Sequence, residues 1–141
     1  MNGSTIGSTI ASLCAALCCT VLSGAAFADG GTVKIGVITS LSGPAAESGA
    51  QMKAGIDTWL RMHGNTVAGK RIEVVYRDDT GPMPDVAKRL ATELVTRERV
   101  DVLAGFVFTP NAIAAAGIAD QARRPMVVMN AAASSLTARS P

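Results

Sequence analysis

Four runs rich in β-branched and apolar residues recur between Thr32 and Asn130, each separated from the next by a stretch of helical period: TVKIGVITS, RIEVVYRDD, VDVLAGFVF and PMVVMN. Between the first two, Met52, Ile56, Trp59 and Leu60 fall on one helical face. Between the second and third, Pro84 suits a first helical turn, and Val86, Leu90 and Leu94 repeat every four residues with Ala87 and Ala91 beside them. TPNAIAAAGIADQA fills the third gap. Strand–helix alternation of this kind calls for parallel strands joined by right-handed crossovers. It predicts an α/β fold, a doubly wound open parallel sheet of order β-α-β-α-β-α-β with helices on both faces. The third and fourth runs are almost continuously apolar, which predicts strands buried on both sides. Trp59 and the methionines of the first helix are expected in the core.

Ahead of the first strand, Ile10 to Ala25 is uncharged, and the run closes on Ala26-Phe27-Ala28. Small residues at Ala26 and Ala28 suit signal peptidase, so residues 1–28 are read as a signal peptide and the mature chain as starting at Asp29. The competing reading is a membrane anchor, for which the run is short and rich in Ser, Cys and Gly. The basic residues usual at the start of a signal are missing before Lys34. Cys14, Cys18 and Cys19 all lie in this leader, and none follows the small residue of a lipid-attachment box. The mature chain therefore has no disulfide framework and no thiol nucleophile or metal ligand. With His63 as the one histidine, His-based metal sites and Ser-His catalysis are disfavoured as well. A net charge of +2 without a clustered basic face gives no support for a nucleic-acid partner.

Gly64 to Arg71, GNTVAGKR, misses the phosphate-loop pattern by one residue, with Arg71 where Ser or Thr belongs. A phosphate loop leaves a strand and opens a helix, so that the helix amino end faces the phosphates. This segment leaves a helix and enters a strand. Its glycines read as a helix terminator and a turn residue, and Lys70 and Arg71 as a solvated edge. Asp78-Asp79, without a glycine fingerprint after the first strand, reads as a pair of turn caps.

In an open α/β sheet, ligands sit outside the carboxyl ends of the strands where the strand order reverses. With the order 2-1-3-4, strands 1 and 3 flank that crevice. The loops there are SLSGPAAESG, FVFTPNA and NAAASSLT, small and hydroxyl-rich with Glu47 their one charge. Thr109-Pro110 reads as a helix N-cap followed by a first-turn proline, and Ser134 and Ser135 as opening a helix from Leu136. Free N–H groups at such helix ends suit a carboxylate. Each hydroxyl, taken singly, is equally a cap for its own helix. The strand ends carry no nucleophile, base or metal cluster, so an enzyme is not expected.

The leader, VKIGVITSLSGPAAESGAQMKAGIDTWL, GKRIEVVYRDDTGPMPDVAKRLATELV and VDVLAGFVFTPNAIAAAGIADQARRPMVVMNAAASSLT together resemble the extracytoplasmic solute-binding proteins of ABC importers, in their leucine/isoleucine/valine-binding branch. That resemblance implies a periplasmic or secreted two-lobed protein that closes on an amino acid or another small carboxylate, aromatic acids included. It implies a membrane permease as partner and no cofactor. The first lobe of the family holds its ligand after strands 3 and 4, and the matching positions are Phe108, Thr109, Ala131, Ala132 and Ser134. Many members pack an aromatic on the ligand from the strand 1 loop, where this chain has Ser48. Family members run to several hundred residues, so residues 29–141 are expected to be the amino-terminal portion of lobe 1, with strand 4 left as an unprotected apolar edge. The same fold also serves in ligand-sensing domains of receptors and regulators.

Overall fold

The computed structural model describes residues 30–138, and the leader with its expected cleavage site lies outside them. The elements are β1 (Thr32–Thr39), α1 (Ala46–His63), β2 (Thr66–Val67), β3 (Lys70–Asp78), α2 (Pro84–Thr96), β4 (Val102–Gly105), α3 (Thr109–Ala122), β5 (Met126–Val128) and α4 (Ser134–Ala138), with a 3₁₀ turn at Gly43–Ala45. They form one sheet of order β2-β3-β1-β4-β5. β1 runs parallel to β3 from the pair Thr32–Arg71 to Thr39–Asp78, and parallel to β4 from Ile35–Val102 to Ile38–Gly105. β5 continues the parallel set at Leu103–Met126. The predicted alternation and strand order are both present.

GNTVAGKR is a hairpin. α1 stops at Gly64, and β2 turns back onto β3 through Ala68 and Gly69, whose φ values of 50° and 77° are both left-handed. Two consecutive positive φ angles match the right-handed strand twist, and Gly supplies one at no steric cost. Lys70 and Arg71 are exposed. β2 itself was not anticipated, because two residues carry no periodic signal.

The core lies on one face, between the sheet and the α2–α3 pair. Ile38, Leu94, Val100, Leu103 and Phe106 are fully buried there, with Ala91, Ala112 and Ala115 letting the two helices approach closely. Each large side chain of this set contributes about 1.5–3 kcal/mol by leaving water. Both crossovers step along the sheet in the direction opposite to the β1–β3 crossover, and right-handedness therefore sends α2 and α3 to one face and α1 to the other.

The consequence overturns two expectations. α1 is the only helix on its face among the described residues, and its row of Met52, Ile56 and Leu60 meets Ile35, Ile72 and Val74 across a hollow of about 560 Å³. Trp59, expected in the core, is 46% exposed at the margin of that hollow and stacks on His63 at 4.8 Å. Met62 is more exposed still. β5, expected to be buried on both sides, leaves Val127 53% exposed, because among the described residues no helix covers its α1 face. α1 is instead tied to the sheet by polar contacts. The Tyr76 hydroxyl donates to Asp57 at 2.8 Å, Lys53 pairs with the same carboxylate, and its ammonium lies 4.7 Å from the Tyr76 ring centre.

Candidate functional site: a crevice at the carboxyl edge of the sheet

From β1 the chain crosses to β3, and from β4 it crosses the other way to β5, so the order reverses between the central strands β1 and β4. In open α/β sheets, the loops leaving such a pair of strands diverge, and a crevice between them is the place where ligands bind.

The β4 side is shaped by two residues with unusual backbone angles. Gly105 has φ 110°, and a Cβ there would fall 2.3 Å from the Ile38 carbonyl oxygen. Phe106 follows at φ 69°, fully buried, with its N–H donating to the same Ile38 oxygen at 2.7 Å. A buried aromatic in the left-handed region costs roughly 1–3 kcal/mol, and such strain persists only where surrounding contacts fix it. The turn delivers Phe108 in extended conformation as the residue that caps α3. Thr109 is therefore the first helical residue rather than the N-cap, and no side chain caps the helix. Phe108 takes the cap position because its carbonyl accepts the first helical bond, from Ala112 N–H at 3.1 Å. The Thr109 hydroxyl and the opening N–H groups of α3 are not committed to a capping bond with each other.

The β5 loop lies alongside. Met129 N–H donates to the Gly105 carbonyl at 2.8 Å and Ala131 N–H to the Phe106 carbonyl at 3.1 Å. These bonds bring the segment holding Ala131, Ala132 and Ser134 beside the segment holding Phe108 and Thr109. Phe108, Thr109 and Ala131 are half-buried, whereas Ala132 and Ser134 are exposed. α4 begins at Ser134 itself rather than at Leu136. Ala131, Ala132 and Ser134 also line a hollow of about 710 Å³ that runs along the open edge of β5 past Met126 and Ala119, and Phe108 and Thr109 stand outside its lining.

The β1 side is held by the acid pair. Asp78 Oδ1 accepts backbone N–H bonds from Leu41 at 2.8 Å, Ser42 at 3.3 Å and Thr80 at 2.8 Å. Burial opposes ionisation of Asp78, but bonds from Ser42, Thr80 and Leu41 outweigh it and hold its carboxyl below the usual carboxylate range. That residue caps turns, as its sequence position suggests. Asp79 does something else: fully buried, it accepts the Ser40 hydroxyl at 2.5 Å and Asn111 Nδ2 at 2.7 Å, and the same Nδ2 donates to the Gly81 carbonyl at 2.8 Å. Sequence reasoning missed Ser40 and Asn111, which lie 39 and 32 positions from Asp79 in the chain. The available signals were a hydroxyl ending strand 1 and an amide in the first turn after Pro110. Among the described residues, no group of three His, Cys, Asp or Glu side chains is placed to hold a metal ion.

A mostly parallel sheet with backbone donors, hydroxyls and apolar walls near its switch point matches one lobe of a small-ligand-binding α/β protein. The chain belongs to the periplasmic binding protein family, whose model matches residues 32–141. It is 50% identical over 122 residues to the Leu/Ile/Val-binding protein homolog 6 of Brucella abortus (strain 2308), an alignment covering 86% of this chain and 31% of that protein. Among solved structures, it resembles a solute-binding protein of an ABC transporter from Rhodopseudomonas palustris HaA2 in complex with p-hydroxybenzoic acid, at 54% identity and a TM-score of 0.75 over 78% of this chain and 30% of that one. It also resembles the branched-chain amino acid transporter substrate-binding protein of Streptococcus pneumoniae in complex with isoleucine, at 28% identity and a TM-score of 0.68 over 76% of this chain and 31% of that one. The chain thus spans about a third of the length of the relatives it matches. These relatives are solute-binding proteins, not enzymes.

Proposed function

We propose that this chain forms the first lobe of an exported substrate-binding component of an ABC importer, and that its ligand is an aromatic carboxylate of the hydroxybenzoate class. The observation that carries the reading is the pair of backbone bonds from Met129 and Ala131, which set the β5 loop beside the uncapped amino end of α3. A carboxylate in that angle meets the N–H groups of Thr109 and Ala132 and the hydroxyls of Thr109 and Ser134, all favourable to an anion, while the Ala131 N–H is spent on the Phe106 carbonyl and fixes the loop. Phe108 supplies an apolar wall for a ring. The choice of an aromatic acid over an amino acid is supported by 54% identity to the p-hydroxybenzoate-bound protein against 28% to the isoleucine-bound one. The lobe holds its ligand without transforming it, a second lobe in the remaining two thirds of the protein closes over it, and the closed form is handed to a membrane permease. Residues 1–28 serve as the export signal, cut after Ala28.

The test is calorimetric, on a complete two-lobed protein in which residues 30–138 are joined to the remaining sequence of the Rhodopseudomonas palustris HaA2 relative. Titration with 4-hydroxybenzoate is expected to give one-to-one binding at micromolar concentration or tighter, with isoleucine silent. Tight isoleucine binding with no response to 4-hydroxybenzoate would overturn the ligand class.

A further inference from the structure

We infer that Ser40, Asp79 and Asn111 form a buried clamp that sets the distance between the two walls of the crevice, so that ligand affinity depends on these positioning residues although they are fully buried. The inference rests on the crevice being the binding site proposed above.

Asp79 is a carboxylate with no exposed surface whose side-chain partners are both neutral donors. Taking an acid out of water without a cation beside it is costly, and a turn does not require it, since Asp78 next door caps the local turn from a half-buried position. What Asp79 has that a neutral residue lacks is a pair of strong acceptors, and each is spent on a different wall. Oδ1 takes Ser40, the residue directly before the Leu41 and Ser42 amides held by Asp78. Oδ2 takes Asn111, in the first turn of α3 and two residues beyond Thr109. The Asn111 amide group bonds to Gly81 as well, so the β3 loop is locked into the same junction. Its orientation follows from facing two acceptors, the Asp79 carboxylate and the Gly81 carbonyl. Its Oδ1 is left buried without a hydrogen-bond partner, as is Thr39 Oγ1. On the β4 side the chain enters α3 through the strained Phe106, and the clamp holds the amino end of α3 in the place that strain would otherwise release.

The experiment uses the same two-lobed protein with Asp79→Asn, Ser40→Ala and the exchanged pair Asp79→Asn/Asn111→Asp, and Leu94→Ala as a core control on the far side of the sheet from α1. Each variant is read by calorimetric affinity for 4-hydroxybenzoate, by thermal melting and by amide hydrogen exchange over Phe108–Ala112. Asp79→Asn sets an amide donor or a weaker acceptor against Asn111, and the expected result is an affinity loss of about tenfold or more with faster exchange in that segment. Ser40→Ala, which removes one hydroxyl and leaves the fold intact, is expected to weaken binding severalfold and stands in for Asp79→Asn should the latter not fold. The exchanged pair restores a donor–acceptor contact and recovers part of the loss. Leu94→Ala is expected to lower the melting temperature while leaving affinity near the parent value. Parent-like affinity and exchange in folded Asp79→Asn or Ser40→Ala overturn the clamp. Should the parent not bind 4-hydroxybenzoate, the ligand reading fails, and unchanged exchange over Phe108–Ala112 in the variants then overturns the clamp by itself.

Discussion

Tyr76 is the single tyrosine of the chain, which makes its environment directly measurable. Burial first, and then its bond to Asp57, push the phenol far above its ordinary value. Asp57 shifts the other way, held low by its bonds from Lys53 and Tyr76. A raised folded-state pKa gives stabilisation that is fully present below the unfolded value of about 10 and lost as pH climbs through the folded one. An absorbance titration is expected to show no tyrosinate until the protein unfolds in alkali, and an ordinary midpoint near pH 10 in the folded state would contradict the contact. Asp78 gives the opposite sign. Its lowered pKa stabilises the fold above the ordinary carboxylate range, and this contribution disappears as pH falls through the folded value, so melting temperature should drop below about pH 4. Asp78→Ala should flatten that acid limb. At Gly105, substitution by Ala sets a Cβ against the Ile38 carbonyl at a φ that only glycine adopts freely, with an expected destabilisation on the order of 2–4 kcal/mol in denaturant unfolding.

Elements were legible in the sequence wherever a period ran for several turns. Leu90 and Leu94 of α2, with Ala87 and Ala91, are buried as their spacing predicts, and Leu94→Ala should cost about 2–5 kcal/mol. The alternation of elements gave the parallel sheet, and the common order 2-1-3-4 assumed for it is the one observed. Two features escaped. Helical periodicity shows which side of α1 is apolar but not whether anything covers it, and the exposure of Trp59 depends on how many helices share that face of the sheet. The α3 cap was misplaced by one residue, because Thr109-Pro110 has the composition of a cap while the backbone of Phe108 occupies the position. A direct check is Thr109→Ala, which should change stability by less than about 0.5 kcal/mol where loss of a true cap costs about 1 kcal/mol. The clamp was invisible for a different reason: Ser40, Asp79 and Asn111 meet only after the sheet has assembled, and no local pattern links them.

At the scale of the whole molecule, one face of the sheet is covered and the other half-covered among the described residues. Val127 and Met129 are exposed beside the β5 edge, whose backbone has no further strand paired to it among the described residues. Unpaired apolar edges recruit other chains. Residues 29–141 expressed alone should therefore self-associate in size-exclusion chromatography and bind no carboxylate tightly, and a monomer with a cooperative melt would contradict this. In the two-lobed protein proposed above, the same residues would form one wall of a closed cleft. The most direct test of that account is a crystal structure of the two-lobed protein grown with 4-hydroxybenzoate. The ligand carboxylate is expected within hydrogen-bond distance of the Thr109 and Ala132 amides, with its ring against Phe108. A ligand seated elsewhere, in the α1 hollow or along the β5 edge, would contradict it.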